Sequence, residues 1–375
     1  MVSFCCEIFL LGFTAAVLTF FIAGLLFICA LSTSITWERT PHPVRRPAFS
    51  SHLLTSTTRD IIVASMPNPR IRTTIAALGL VLLPSHITGQ SAPTAAIGSR
   101  ISVAFFANDG HDRPVSGVTQ ADLAILDDKK APQSIVGIRG RTELPLRLGV
   151  LIDTSNSERS SDVYQAGVQA ASEFVYQVLN GKDDKAFIEK FNTLPSATPF
   201  MTTHQLSTFE IDLTPGGATA LYDALRLACD DRMKNDPVED SLRVIVVLSD
   251  GDDNQSRSSR TEAIASAQRA RVVIFAVSTK DSYSSSRQTA RGDGILKVLA
   301  GETGGLAFLT LSRKEVPKAF ATIKTQIENM QLLSYVPADP DPTGQYHSLE
   351  LKPASKAKLR LRAPKGYYGD PKPSR

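Results

Sequence analysis

The chain has little cysteine, and what it has is poorly placed for cross-linking. Of four Cys in 375 residues, Cys5, Cys6 and Cys29 fall in the first hydrophobic stretch and Cys229 stands alone. This excludes a disulfide framework and any cysteine-based zinc spacing. A single Cys in a helical pattern, as at Cys229, behaves as a small buried hydrophobe. The six His are scattered, and none pairs at metal-ligand or catalytic spacing. Charge of one sign is not in excess either. There are 41 Lys and Arg against 37 Asp and Glu, and residues 1–90 hold six Arg, no Lys and three acids. The rest of the chain is therefore balanced to within one charge, which excludes the electrostatic footprint of a nucleic-acid-binding protein. No Gly-x-Ser-x-Gly elbow occurs, and no internal repeat or long low-complexity tract is visible. Hydrophobic content of 42% and charged content of 21% are ordinary for a globular protein. The length allows two modest domains plus a targeting segment.

The N-terminus carries two competing signals. Residues 8–31 lack any charge and are long enough to span a bilayer. Arg39, Arg45 and Arg46 follow that stretch, and the positive-inside rule would then leave the next part of the chain in the cytoplasm. From Met66 a second pattern begins: basic Arg70 and Arg72, a short apolar run from Thr73 to Leu83, then small residues with Gly89 and Ser91 placed for cleavage after Ser91. That is the layout of a signal peptide. The expectation is that residues 1–65 form a hydrophobic N-terminal extension upstream of a start at Met66. Residues 66–91 would then be a signal peptide-like segment that sends the chain out of the cytoplasm, to be secreted, periplasmic or anchored facing out. The alternative is a genuine membrane anchor at residues 8–31.

The remainder changes character twice. Residues 98–142 read as a small β segment: a strand from Ile101 to Ala107, a turn at Asn108-Asp109-Gly110, and a hairpin tip at Asp127-Asp128-Lys129-Lys130 with Ile135–Ile138 returning. Residues 145–330 alternate strand and helix. Strands are expected at Leu146–Ile152, Lys185–Phe191, Leu242–Leu248, Val272–Val277 and Leu306–Leu309. Helices are expected at Ser161–Leu179, Thr219–Met233, Thr261–Arg271, Ile295–Thr303 and Val316–Met330. Such alternation implies α/β architecture: a doubly wound, mostly parallel sheet with helices on both faces. Residues 331–370 return to β, with a strand at Leu332–Val336 and a hairpin of His347–Leu351 and Lys358–Ala363. In the last strand Lys356, Lys358, Arg360 and Arg362 alternate with Ala357, Leu359, Leu361 and Ala363, which reads as a solvated basic face. Each flanking β segment is too small to be stable alone. The two are expected to pack together as one discontinuous β domain.

Oxygen-bearing residues gather where strands end. Asp153-x-Ser155-x-Ser157 follows the apolar run Leu148–Ile152. Thr219 follows Gly216-Gly217-Ala218, and Asp250-Gly251-Asp252 follows the central strand. In an open parallel sheet, loops at the carboxyl ends of strands meet on one edge, where ligands bind. Carboxylate and hydroxyl oxygens converging there suit a hard divalent cation. Asp250 to Asn254 also looks like a calcium loop, but the sixth position is Gln255 rather than Gly and the twelfth is Thr261 rather than Glu, which excludes an EF-hand.

These residues resemble the metal-ion-dependent adhesion site of the von Willebrand factor type A domain, whose fold is Rossmann-like. The resemblance covers residues 145–330, and the flanks, including Pro114–Asp128 and Lys365-Gly-Tyr-Tyr368, resemble a bacterial secreted family built around that domain. It implies direct metal ligands Ser155, Ser157 and Thr219, with Asp153 and Asp250 acting largely through bound waters and Asp252 hydrogen-bonding around them. It also implies that the last helix, Val316–Met330, can shift when the site is filled. Two carboxylates leave a Mg²⁺, Mn²⁺ or Ca²⁺ ion undersatisfied, so a partner's Asp or Glu carboxylate can complete its coordination. The leading expectation is an exported, non-enzymatic adhesion or protein-binding module. The alternatives are a metal-dependent hydrolase and a structural envelope protein with a vestigial site.

Overall fold

In the computed structural model, residues 100–280, 287–340, 343–354 and 358–369 are described. The expectations for residues 1–65, 66–91 and the stretch 8–31 lie outside them. Among the described residues, no helix is long and apolar enough to cross a membrane.

Three strands open the described chain: β1 (Ile101–Asn108), β2 (Leu123–Asp127) and β3 (Ser134–Gly140). The apolar run after them makes β4 (Leu146–Asp153), all of whose residues are buried. Strand–helix alternation then gives α1 (Asp162–Val178), β5 (Lys185–Phe191), β6 (Ser196–Ala197), α2 (Leu221–Arg226), β7 (Leu242–Ser249), α3 (Arg260–Arg269), β8 (Val273–Ser278), α4 (Arg287–Glu302), β9 (Ala307–Phe308) and α5 (Val316–Glu328). The chain closes on β10 (Gln331–Val336), β11 (Tyr346–Pro353), β12 (Arg360–Arg362) and β13 (Gly366–Tyr368).

The central sheet has six strands in the order β6-β5-β4-β7-β8-β9. All its pairings are parallel except β5 with β6. Side chains alternate across each strand, so the sheet feeds two apolar layers. On one face Leu146, Leu148, Val150 and Ile152 meet Val163 and Phe174 of α1 and Phe320 and Ile323 of α5. On the other, Leu151, Ile245 and Val247 meet Leu221 and Leu225 of α2, Ala263 and Ala267 of α3, and Leu296 and Leu299 of α4. Burial on both sides explains the near-continuous apolar sequence of β4, β7 and β8. Gly149 is required in β4, because a Cβ there would lie 2.5 Å from the Phe187 ring.

Strands from the two flanks hydrogen-bond to one another. One sheet runs β12-β1-β10-β3 and another β13-β11-β2. β1 is buried on both sides: Ala104 and Phe106 belong to the same apolar layer as α1 and α5, whereas Val103 and Phe105 pack with Ile125, Leu349 and Tyr367. The four-stranded sheet is thus sandwiched between the α/β unit and the three-stranded sheet.

Several local expectations are corrected. The tip at Asp127–Lys130 does turn, with φ of +47° at Asp128 and +65° at Lys129. Yet β3 does not return along β2: it pairs with β10, while β2 pairs with β11. Pro132 has no N–H for a ladder, and the chain crosses there to the other sheet. The expected hairpin of 347–351 with 358–363 does not form either, because β11 pairs with β13 and β2, and β12 with β1. Alternation identifies a strand but not its partner. Nor is the β12 face simply solvated. Arg362 lies over the Phe106 ring at 4.6 Å and donates to Gly304 O and Gln326 Oε1. Burial pulls its pKa down to about 10. Helix α2 begins at Leu221 rather than Thr219 and runs into a π-helical segment, Leu227–Met233. α4 begins at Arg287, well before the expected Ile295, because Gly292, Gly294 and nearby charges dilute its apolar period.

Candidate metal centre

Parallel pairing of β4, β5, β7 and β8 puts their carboxyl ends on one edge. Asp153 ends β4 and is fully buried. Its Oδ1 accepts from Ser155 N (2.9 Å) and its Oδ2 from the Ser249 hydroxyl (2.6 Å). Ser249 is the last residue of β7, and its oxygen accepts from Gly251 N at 3.0 Å. Ser155 and Ser157 hydroxyls are 2.9 Å apart, and Ser157 also bonds the Asp250 carboxylate. Ser155 is buried, whereas Ser157 and Asn156 face solvent. The first and third loops therefore meet through side chains, with an open side at Ser157.

The Thr219 loop is held by its backbone. Gly216 N donates to Thr154 O (2.7 Å), and Asn156 N donates to Gly217 O (3.1 Å). Gly217 has φ of +86°, a conformation that favours glycine. Thr219 N donates to Asn254 Oδ1, and Thr219 O accepts from Asn254 N and Gln255 N, each at 3.0 Å. Asp253 accepts from Tyr222 N at the start of α2, and Asp223 from Arg257 N and Ser258 N. These bonds lock the second loop between the other two, with Thr219 buried. Asp252 N donates to Asp250 Oδ1 at 3.0 Å. All the residues expected at the site, Asp153, Ser155, Ser157, Thr219, Asp250 and Asp252, thus lie on interlocked loops at one sheet edge.

Other residues at this edge escaped sequence reasoning. Glu158, adjacent to Ser157, is buried and accepts from the Thr279 hydroxyl at 2.7 Å. Its carboxylate joins those of Asp153 and Asp250 in a group in which one oxygen from each lies within 4.8 Å of the other two. Lys280 Nζ stands 3.9 Å from Asp250 Oδ2. Thr279 and Lys280 follow β8, and the parallel topology alone could have brought them into consideration. Glu158 gave no distinct signal, since acids are common at the first turn of a helix. Ser249 read simply as the end of an apolar strand.

Crowding these acids has an electrostatic cost. Burial pushes Asp153 up to about 7, opposed by hydrogen bonds from Ser249 and Ser155 and aided by Asp250. Burial also raises Asp250, and raises Glu158 well above the usual carboxylate range, with the charge of Asp153 as the next cause. Buried carboxylates packed so closely are satisfied by protons or by a cation. An all-oxygen set of carboxylates and hydroxyls fits a hard divalent ion. A second acidic group, Asp127, Asp128 and His347, is engaged differently. Asp127 accepts from the Tyr335 and Tyr367 hydroxyls at 2.8 and 2.7 Å, and Asp128 bonds His347 Nδ1 and Ser348 N.

A sheet ordered in this way, with one antiparallel edge strand and with Asp-x-Ser-x-Ser, Thr and Asp loops on its carboxyl edge, gives the α/β unit a Rossmann-like fold that resembles a von Willebrand factor type A domain. No family model and no curated protein sequence matches the chain. Solved structures similar to it include a von Willebrand factor type A protein from Catenulispora acidiphila, at 10% identity and a TM-score of 0.41 over 73% of this chain and 75% of that one. Another is an aerotolerance-related membrane protein from Bacteroides fragilis, at 16% identity and 0.36 over 48% of this chain and 98% of the other. A third is proximal thread matrix protein 1 from the mussel byssus with a zinc-occupied metal-ion-dependent adhesion motif, at 15% identity and 0.40 over 52% and 48%. The resemblance stands on the strand order and the loops of this chain.

Proposed function

We propose that the protein is an exported binding module that holds a divalent cation on Ser155, Ser157 and Thr219, with Asp153 and Asp250 beside them, and uses it to capture a carboxylate of a partner protein. The observation that supports this reading is that three loops, distant in sequence, interlock at one sheet edge, with the Ser155 and Ser157 hydroxyls 2.9 Å apart and Ser157 exposed. The cation supplies a positive centre that can accept an oxygen ligand from outside. The chain's own residues fix its place: Ser249 and the Ser155 amide hold Asp153, and Asn254 holds Thr219. Mg²⁺, Mn²⁺ and Ca²⁺ all suit this oxygen set. Export, through the signal peptide-like residues 66–91 or an anchor at 8–31, would expose the site to partners outside the cytoplasm.

The test is retention of envelope proteins on the immobilised full chain. Retention that requires Mg²⁺ and is lost both with EDTA and in Asp153→Ala is the expected result. Retention indifferent to EDTA and to Asp153→Ala would refute metal-mediated capture.

A further inference from the structure

We infer that Glu158 is a specificity-determining residue of the metal centre, one that strengthens its hold on the cation while weakening the cation's hold on an incoming carboxylate. The inference rests on that centre being a divalent-cation site, and it changes which ligands the loaded site prefers. Sequence alone suggests two carboxylates there, Asp153 and Asp250. The structure adds a third, buried, with one of its oxygens within 4.8 Å of an oxygen of each.

Glu158 is fixed at this place. It follows Ser157 directly, so the chain that carries a cation ligand also carries it. Its Oε1 accepts the Thr279 hydroxyl at 2.7 Å, and the Asp250 backbone amide donates to its carboxylate. Asp250, the neighbouring acid, is thereby tied to it through main chain. The basic group that faces this cluster in an ion pair is Lys280, and its Nζ is at Asp250, 3.9 Å away. Glu158 is not needed as a surface acid, because it is 2% exposed.

Its effect comes from Coulomb's law in a poorly screened place. A further anion within a few ångströms of a divalent cation deepens the well that holds the ion. The same anion lowers the net positive charge that the loaded site presents to a second anion. The two consequences have opposite signs, whereas loss of structural integrity would weaken both together. A loaded site in which Glu158 balances the cation favours neutral oxygen ligands, such as hydroxyl or amide carbonyl, more than two aspartates alone would. The partner class this implies binds through a carboxylate only when its other contacts add to the ion's pull.

The experiment uses the full chain with Mn²⁺ as the ion and acetate as the carboxylate probe. Free Mn²⁺ is counted by electron paramagnetic resonance, and acetate entry is followed by loss of water-proton relaxation from the bound ion. Glu158→Gln is expected to weaken Mn²⁺ binding by about tenfold or more, and to tighten acetate binding to the loaded protein severalfold. Glu158→Met provides a second variant with an apolar side chain suited to burial, and the same pair of opposite shifts is expected. Unchanged affinities, or Mn²⁺ and acetate affinities that fall together in both variants, would overturn the role given to Glu158. Absence of Mn²⁺ binding by the unaltered chain would instead overturn the metal centre itself.

Discussion

Two buried carboxyl groups set expectations that can be measured residue by residue. Glu189 on β5 is fully buried, and both its carboxylate oxygens lack a hydrogen-bond partner. It shares its strand face with Phe187 and Phe191, and burial raises its pKa well above the usual range, with only Arg232 pulling it back. A buried polar group without a partner costs about 1–3 kcal/mol. Glu189→Met should therefore raise the urea midpoint, by more at pH 8 than at pH 5, since the acid's penalty grows as it is forced to ionise. A lower midpoint at both pH values would contradict this. Asp153 behaves differently because its carboxylate has donors. With its folded pKa near 7 and an unfolded value of 3.8, the folded state binds the extra proton. Its stabilising effect is complete below the unfolded value and is lost as pH rises towards the folded one. In EDTA the protein should thus lose stability between pH 4 and pH 8. Divalent cation should restore it at pH 8 and do little at pH 5, where protons compete for the same oxygens. A cation effect equal at both pH values, read by thermal melting, would count against Asp153 as part of the site. Asp153 was legible in the sequence because it ends an apolar run. Glu189 was not, because alternation puts it on the face of Phe187 and Phe191, and nothing in the pattern tells whether an acid there is buried or turned out.

At the scale of elements, close backbone approach does what side chains cannot. Gly251 has φ of +76°, and a Cβ on it would lie 2.3 Å from Gly292 O; a Cβ on Gly292 would lie 2.2 Å from Asp250 O. Helix α4 is thereby seated directly on the loop that carries Asp250. Gly292→Ala should force α4 and that loop apart, costing about 1–3 kcal/mol as overpacking does, and should weaken divalent-cation binding in a dialysis measurement. Full cation affinity in a folded Gly292→Ala protein would show that α4 does not position Asp250. The positions of β4, β5, β7, β8, α1 and α5 were plain from their apolar periods. The first turns of α4 were not, because its seating uses glycine, which leaves no mark in a hydrophobic pattern. The π-helical turn after α2 was hidden for a related reason: Leu227–Met233 suits an α-helix equally well, and only its packing fixes the difference.

Across the whole molecule, the α/β unit was readable because a parallel sheet brings its own signature, alternating apolar strands and helices. The β layers were readable only as strands. Their pairings join residues more than 200 positions apart, as in Ile101 with Tyr335, and period-2 alternation says nothing about such partners. What ties those layers to the rest is also non-local: Phe106 packs edge-on against Phe275 at 5.8 Å, beneath Arg362. The same logic governs the candidate metal centre, where the topology gathers residues from Asp153 to Lys280 at one edge. Six of its oxygen-bearing residues, Asp153, Ser155, Ser157, Thr219, Asp250 and Asp252, stood in motifs, and Glu158, Ser249 and Thr279 emerged only from the fold. The most direct test of the centre is Mn²⁺ binding to the full chain, compared with Asp153→Ala and Thr219→Ala by electron paramagnetic resonance. Saturable binding of one ion per chain, lost or greatly weakened in both variants, is the expected result. Binding that survives both substitutions, or a chain that takes up no Mn²⁺ at neutral pH, would contradict it.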